Sequence, residues 1–282
     1  MVRFLRLLKL NETLFALPFA YSGMLLAYKR LDELDAIKII WITLAMVGAR
    51  TFGMLMNRVI DRHIDAINPR TKDRDLPSGK MTANSILIIA IFALMLFICS
   101  AFMLNTLAFY LAPIVAVYIM VYSYTKRFTW LSSFFLGWVL AIAPSGAWIG
   151  INGSIGFEPI ILSTAVALWA TSFDILYHVQ DVDFYSNNQL YSFSSRFGVG
   201  FSVRVARLLD FLAVLLLILL GIVASIGWIY YIGPIIVSYI LFYKHRYISY
   251  HGVIEGGHKF FRLNPVISLS VFFSILASLM II

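Results

Sequence analysis

Nine apolar runs, each long enough to cross the hydrocarbon core of a bilayer, restrict this chain more than any other feature. A spanning helix needs about 17–25 mostly apolar residues, and its backbone polar groups must be bonded within the segment. The runs fall at 13–29, 37–57, 83–103, 105–124, 131–151, 159–180, 208–224, 225–243 and 263–282. Only tight turns separate the third from the fourth, near Leu104 and Asn105, and the seventh from the eighth, near Ser225 to Gly227. Composition agrees: 61% of residues are apolar and 13% charged, against about 25% charged in a soluble domain. The expected fold is therefore all-α, a single polytopic membrane domain over 1–282, with nine transmembrane helices around a central cavity. Cys99 is the single cysteine, so an intrachain disulfide and a cysteine metal cluster are both excluded. At the start of the chain, Arg3, Arg6 and Lys9 stand among Phe4, Leu5, Leu7 and Leu8. That pattern reads as a basic amphipathic segment on the membrane surface, not as a cleaved leader.

Charge gives the orientation. All Lys and Arg residues except Lys29, Arg30, Lys38 and Arg50 fall at the N-terminus or in the loops after the second, fourth, sixth and eighth runs. By the positive-inside rule those segments are cytoplasmic and the C-terminus is outside; the expected location is the inner, cytoplasmic membrane. The net charge of +8 follows from this asymmetry and does not point to nucleic acid.

Between the second and third runs lies a polar island, Asn57 to Lys80. Asn57, Asp61 and Asp65 are four apart, so on a continuing helix they line one face. Arg58, Arg62, Arg70, Lys72, Arg74 and Lys80 surround them. Oxygen donors among cations suit a polyanion held partly through metal, and a diphosphate with Mg2+ is the natural candidate. A second acidic stretch ends the sixth run. Asp174 and Asp181 are seven apart, within about 20° on a helix, with Tyr177 and His178 between them. Residues 159 to 181 contain no Lys or Arg, so compensation must come from elsewhere. The long loops 58–82 and 181–207 both begin with carboxylates, a loose echo that suggests two halves facing one cavity. Asp183 lies off the stripe, a secondary candidate, and His178 suits hydrogen bonding better than an oxygen-preferring metal. Asn68, Pro69, Pro77 and Gly79 read as turn formers folding a lid over the site. Arg50 is the one basic residue well inside a run; with Gly48 and Gly53 leaving room beside it, it is the candidate to bind a carboxylate, of a bound ligand or of Asp61 or Asp174 as an ion pair. A secondary transporter for an organic anion is the alternative, as is a binding protein without turnover. Transport sites, however, sit near the midplane, whereas these carboxylates crowd the cytoplasmic helix ends.

With both stretches in view, the sequence resembles the UbiA family of intramembrane aromatic prenyltransferases. The resemblance rests on N-x-x-x-D-x-x-x-D at Asn57, Asp61 and Asp65, and on the second acidic pattern at Asp174, Tyr177 and Asp181. N-P-R-T at 68–71, L-P-S-G at 76–79, Y-S-Y-T-K-R at 122–127 and A-P-S-G-A-W at 143–148 extend it over most of the chain. Tyr185 departs from the pattern, standing where an aspartate is usual, and Asp183 is the possible substitute. Within the family the chain looks most like bacterial 4-hydroxybenzoate polyprenyltransferases, including a subgroup tied to the futalosine route to menaquinone. The resemblance implies transfer of a polyprenyl group from its diphosphate to 4-hydroxybenzoate or a dihydroxynaphthoate in quinone biosynthesis. It implies Mg2+ held by Asn57, Asp61, Asp65, Asp174 and Asp181, the four aspartates being the catalytic residues. Arg70, Lys126 and Arg127 would hold the diphosphate, and Tyr122, Trp148 or Tyr177 could face the allylic cation.

Overall fold

The computed structural model describes residues 10–31, 35–255, 260 and 263–281. Arg3, Arg6, Lys9, Lys259 and Arg262 lie outside the described residues. In chain order the helices are α1 (Leu10–Leu31), α2 (Ala36–Ile60), α3 (Arg62–Ile67), α4 (Ala83–Leu104), α5 (Thr106–Tyr124), α6 (Ser132–Asn152), α7 (Phe157–His178), α8 (Val182–Asn187), α9 (Phe193–Phe197), α10 (Val199–Val223), α11 (Ile232–His251) and α12 (Asn264–Ile281). No strand occurs among the described residues. Helix starts carry their own signals. The Asp35 side chain accepts the Ile37 N–H at 2.8 Å, Thr82 accepts from Ser85 at 3.2 Å, and Asn105 accepts from Ala108 at 2.9 Å, each satisfying a donor the first turn leaves open. Gly153, at φ 65°, ends α6 in the left-handed region.

Nine of the described helices have 18 or more residues, at the places the apolar runs predict. Seven are long and apolar enough to cross a membrane. The other two, α1 and α11, are more polar, with Asn11, Glu12, Lys29 and Arg30 in one and Lys244, His245 and Arg246 in the other. Three boundaries differ from the sequence expectation: α11 begins at Ile232 instead of 225, after a 3-10 turn over Trp228–Tyr231, and two more differ where charge is present. Helix α10 begins at Val199 instead of 208, and α11 continues to His251 instead of stopping at 243. In both places charged residues interrupt the hydropathy but not the helix. Ser202 and Ala206 face inward while Arg204 lies on the outer side.

Lys244 in particular is not a loop cation. It is buried, ion-paired to Asp210, and His245 Nε2 meets the same Asp210 Oδ2 at 2.6 Å. The Lys244 ammonium also reaches Ser172 Oγ at 3.5 Å, so α7, α10 and α11 are joined by one polar cluster. Such a cluster holds register where apolar packing alone is permissive.

The chain divides into two compact units, Asp35–Tyr124 in the first and Leu14–Leu34 with Thr125–Ile282 in the second. In the first, α2 packs on α4 and α5. A Cβ on Gly48 would lie 2.8 Å from the Ala93 carbonyl and the Phe97 nitrogen, and one on Gly53 would lie 2.7 Å from Ile119. These glycines serve close helix approach and do not leave room beside Arg50. In the second unit α7 is the central helix, packed by α6 and α10. Leu162, Ala170 and Ile175 are fully buried, and Trp169 stacks edgewise with Phe15 and Phe173. Each unit carries one of the two acidic stretches.

Candidate active site

In the first unit the spacing of four survives a break in the helix. Asp61 ends α2 and precedes α3, yet its N–H bonds the Asn57 carbonyl at 2.9 Å, and the Asp65 N–H bonds the Asp61 carbonyl at 2.8 Å. The i to i−4 ladder therefore runs through the motif and keeps the three side chains on one face. Asn57 Nδ2 donates to Asp61 Oδ2 at 2.9 Å and to Ser123 Oγ of α5 at 3.3 Å. Asp61 is 1% exposed and Asp65 6%. Carboxylates this secluded require compensating charge or hydrogen bonds. At Asp65 a cation is supplied by Arg74, whose Nη1 donates to Oδ2 at 2.8 Å.

The following loop is folded by its own polar groups. Asn68 is extended before Pro69, as a residue preceding proline should be, and its Oδ1 accepts the Arg70 N–H at 2.9 Å. The Lys72 N–H bonds the Asn68 carbonyl at 2.9 Å, and Thr71 Oγ1 donates to the Asp65 carbonyl at 3.1 Å. Gly79, at φ 72°, closes a turn onto the Leu76 carbonyl at 3.1 Å. The sequence-predicted turn formers thus do form turns. Asn68 and Thr71 are buried beneath them, while Arg70 is exposed.

In the second unit α7 ends at His178, and a 3-10 turn, Val179–Asp181, carries the chain into α8. With about 100° per α residue and 120° per 3-10 residue, Asp174 and Asp181 stay on similar azimuths. Both are buried, at 6% and 5% exposure. His178 Nδ1 donates to the Asp174 carbonyl at 2.9 Å and lies 3.1 Å from Asp174 Oδ2. Tyr177 is half-buried. Tyr185 is buried with its ring edge-on to His178 at 5.5 Å, and Asp183 is exposed. Lys126 and Arg127 lie on a second 3-10 turn, Thr125–Arg127. The Lys126 carbonyl accepts the Tyr191 N–H at 2.8 Å, which ties this basic turn to the loop following Asp181.

Arg50 is half-buried within α2, seven residues or about 10 Å before Asn57. Tyr122 is half-buried near the end of α5, beside Ser123. Trp148 stands elsewhere, far along α6 from the basic turn, with Arg30 5.9 Å from its ring centroid and Gly156 against its edge. Sequence reasoning grouped Arg74 with five other cations, and it gave no role to Thr71 or Ser123. Its ion pair to Asp65, nine residues earlier and closed by the loop's turns, is what sets Arg74 apart.

A hard divalent cation matches this donor set, since every side chain implicated offers oxygen. Among the described residues no group of three or more His, Cys, Asp or Glu gathers as a metal cluster. That is compatible with Mg2+, which commonly takes one or two carboxylates and completes its shell with phosphate oxygens and water.

Helices of membrane length with buried carboxylates in each unit describe an integral-membrane protein with secluded acidic sites. The chain belongs to the UbiA prenyltransferase family, whose profile matches residues 16–264, and it is an enzyme of that kind. It is 31% identical over 231 residues to a 4-hydroxybenzoate octaprenyltransferase of Marinobacter nauticus, covering 82% of this chain and 78% of that one. A 4-hydroxybenzoate octaprenyltransferase of Francisella tularensis subsp. novicida is 30% identical over 253 residues, 89% of this chain and 87% of the relative. Among solved structures, a UbiA homolog from Aeropyrum pernix superimposes with a TM-score of 0.84 at 26% identity, covering 96% of this chain and 97% of that one. A UbiA homolog from Archaeoglobus fulgidus, bound to DMAPP and Mg2+, shares the fold at a TM-score of 0.74 and 19% identity, over 99% and 100% of the two chains.

Proposed function

We propose that this enzyme transfers a polyprenyl group from its diphosphate to a hydroxylated aromatic carboxylate, 4-hydroxybenzoate or a dihydroxynaphthoate, in respiratory quinone biosynthesis. The observation that carries the reading is the pair of buried aspartates in each unit, Asp61 with Asp65 and Asp174 with Asp181, in a chain about 30% identical to 4-hydroxybenzoate octaprenyltransferases. We assign both pairs, with Asn57, to one Mg2+–diphosphate site. Asp183, being exposed, is left outside that set.

When bound there, Mg2+ supplies positive charge against the leaving diphosphate. Arg70, Lys126 and Arg127 hold the same diphosphate oxygens and take up charge as the allylic C–O bond breaks, its electron pair leaving with the diphosphate. Arg50 binds the acceptor carboxylate through its guanidinium fork and so sets the ring's position. The ring carbon beside the hydroxyl then forms the new C–C bond, and the ring loses a proton to restore aromaticity. Tyr122 and Tyr177 offer π faces to the cation. The folded loop after Asn68 excludes water, which would otherwise capture the cation as an alcohol. The isoprenoid tail lies among apolar helix surfaces open to lipid. The site opens on the cytoplasmic face, where the positive-inside rule places both loops.

The test is to incubate membranes containing the protein with Mg2+, a polyprenyl diphosphate and either acceptor, and to identify products by mass spectrometry. A ring-prenylated acid from one acceptor supports the reading. No product from either acceptor, while a known relative works in parallel, overturns the acceptor class.

A further inference from the structure

We propose that Arg74 is a positioning residue that holds the metal's place at Asp65 in the resting enzyme and couples metal uptake to diphosphate uptake. This rests on the reading of Asp65 as a metal ligand. The Arg74 guanidinium donates to Asp65 Oδ2 at 2.8 Å; the carboxylate side chain is 8% exposed and the arginine side chain 30%. The pair is therefore an ion pair on a buried carboxylate, reached by a side chain that keeps access to the surface.

The backbone that presents Arg74 is fixed by the loop's own bonds. Its N–H bonds the Thr71 carbonyl at 3.0 Å, its carbonyl accepts the Ser78 N–H at 3.0 Å, and Thr71 Oγ1 is anchored on the Asp65 carbonyl at 3.1 Å. The loop thus brings residue 74 back over residue 65, and the side chain alone can swing away.

A guanidinium and a divalent cation cannot share one carboxylate without repelling each other. Free metal must displace Arg74 or bind Asp65 against its charge, and so it binds weakly. A diphosphate offers the guanidinium a better partner, since arginine binds phosphate oxygens through two parallel hydrogen bonds. Once Arg74 turns to the diphosphate, Asp65 is released for the metal. Metal and diphosphate then favour each other's binding by the same factor, as linkage requires. The enzyme takes up the complex of the two and discriminates against metal alone. An unproductive metal-only state is suppressed by the same residue that helps seat the substrate.

The test uses full-length protein in nanodiscs, Mn2+ as a spin-visible substitute for Mg2+, and inorganic diphosphate. Electron paramagnetic resonance reads bound against free Mn2+ for the wild type, Arg74→Gln, Arg74→Lys and Asp61→Asn. In Arg74→Gln, free Mn2+ should bind about three- to tenfold tighter, because a partly exposed ion pair no longer competes. Diphosphate should then raise Mn2+ affinity less than it does in the wild type, with Arg74→Lys between the two. A loss of fold would weaken both modes together, so the opposite signs identify the coupling. Free-metal affinity unchanged or weakened in Arg74→Gln, at a site where diphosphate enhances binding and Asp61→Asn abolishes it, overturns this inference alone. Wild-type protein with no diphosphate-enhanced, Asp61-dependent Mn2+ binding overturns the metal reading itself, and the inference with it.

Discussion

At the scale of residues, the chemistry is concentrated in a few side chains that a membrane protein would otherwise avoid. Asp61, Asp65, Asp174 and Asp181 are each at most 6% exposed, and seclusion of ionised carboxylates is expensive enough to suggest function. Their spacing was legible because four- and seven-residue steps repeat a helical face. What holds them was less so. His178 on Asp174 follows the same four-residue step, but Ser123 beside Asn57 and Arg74 on Asp65 depend on contacts across 66 residues and around a loop, which no local pattern encodes. Arg50 is the residue whose role can be tested most cleanly. Arg50→Lys keeps the charge but loses the planar fork, so KM for the aromatic acid should rise about tenfold while KM for the polyprenyl diphosphate changes little. Steady-state kinetics with each substrate varied in turn checks this; an unchanged acceptor KM removes Arg50 from the carboxylate site.

At the scale of elements, apolar run length was sufficient to place the nine long helices, and their ends were misjudged where helices carry charge. Val199–Arg207 and Lys244–His251 are helical, but a hydropathy reading stops at their cations because it does not ask whether a partner waits across the helix interface. For Lys244 the partner is Asp210, 34 positions earlier. The cluster yields a prediction. Asp210→Asn leaves the buried ammonium of Lys244 without its counter-ion, which should lower stability by about 3 kcal/mol or more. Thermal unfolding in detergent measures the loss, and the double replacement Asp210→Leu with Lys244→Met should recover most of it. Glycine is the other case in which sequence gave the residue but not its reason. Gly48 reads as space for a ligand, whereas the α4 backbone occupies that space. Gly48→Val should therefore destabilise the α2–α4 pair by about 2 kcal/mol or more through overpacking, with Arg50 untouched; the same thermal measurement checks it.

At the scale of the whole molecule, two compact units each carry an acidic stretch and a basic turn, and the family to which the chain belongs spans both, from residue 16 to 264. The loose echo in the sequence, helix then carboxylates then cationic loop, corresponds to one such stretch in each unit. Orientation is testable apart from chemistry. In a Cys99→Ser background, cysteines at Lys80 and Asn188 should react with an impermeant maleimide only from the cytoplasmic side, and one at Ser154 only from the opposite side. Labelling of all three from one side contradicts the positive-inside assignment. The most direct measurement of the central claim is Mg2+-dependent product formation by purified protein carrying Asp61→Asn, Asp174→Asn, or both. If the two stretches serve one metal–diphosphate site, each single variant loses at least about a thousandfold in kcat, and the double variant loses hardly more, as groups acting as a unit do. Retained turnover in either single variant, or losses that multiply in the double, would show that the two carboxylate pairs do not act as one site.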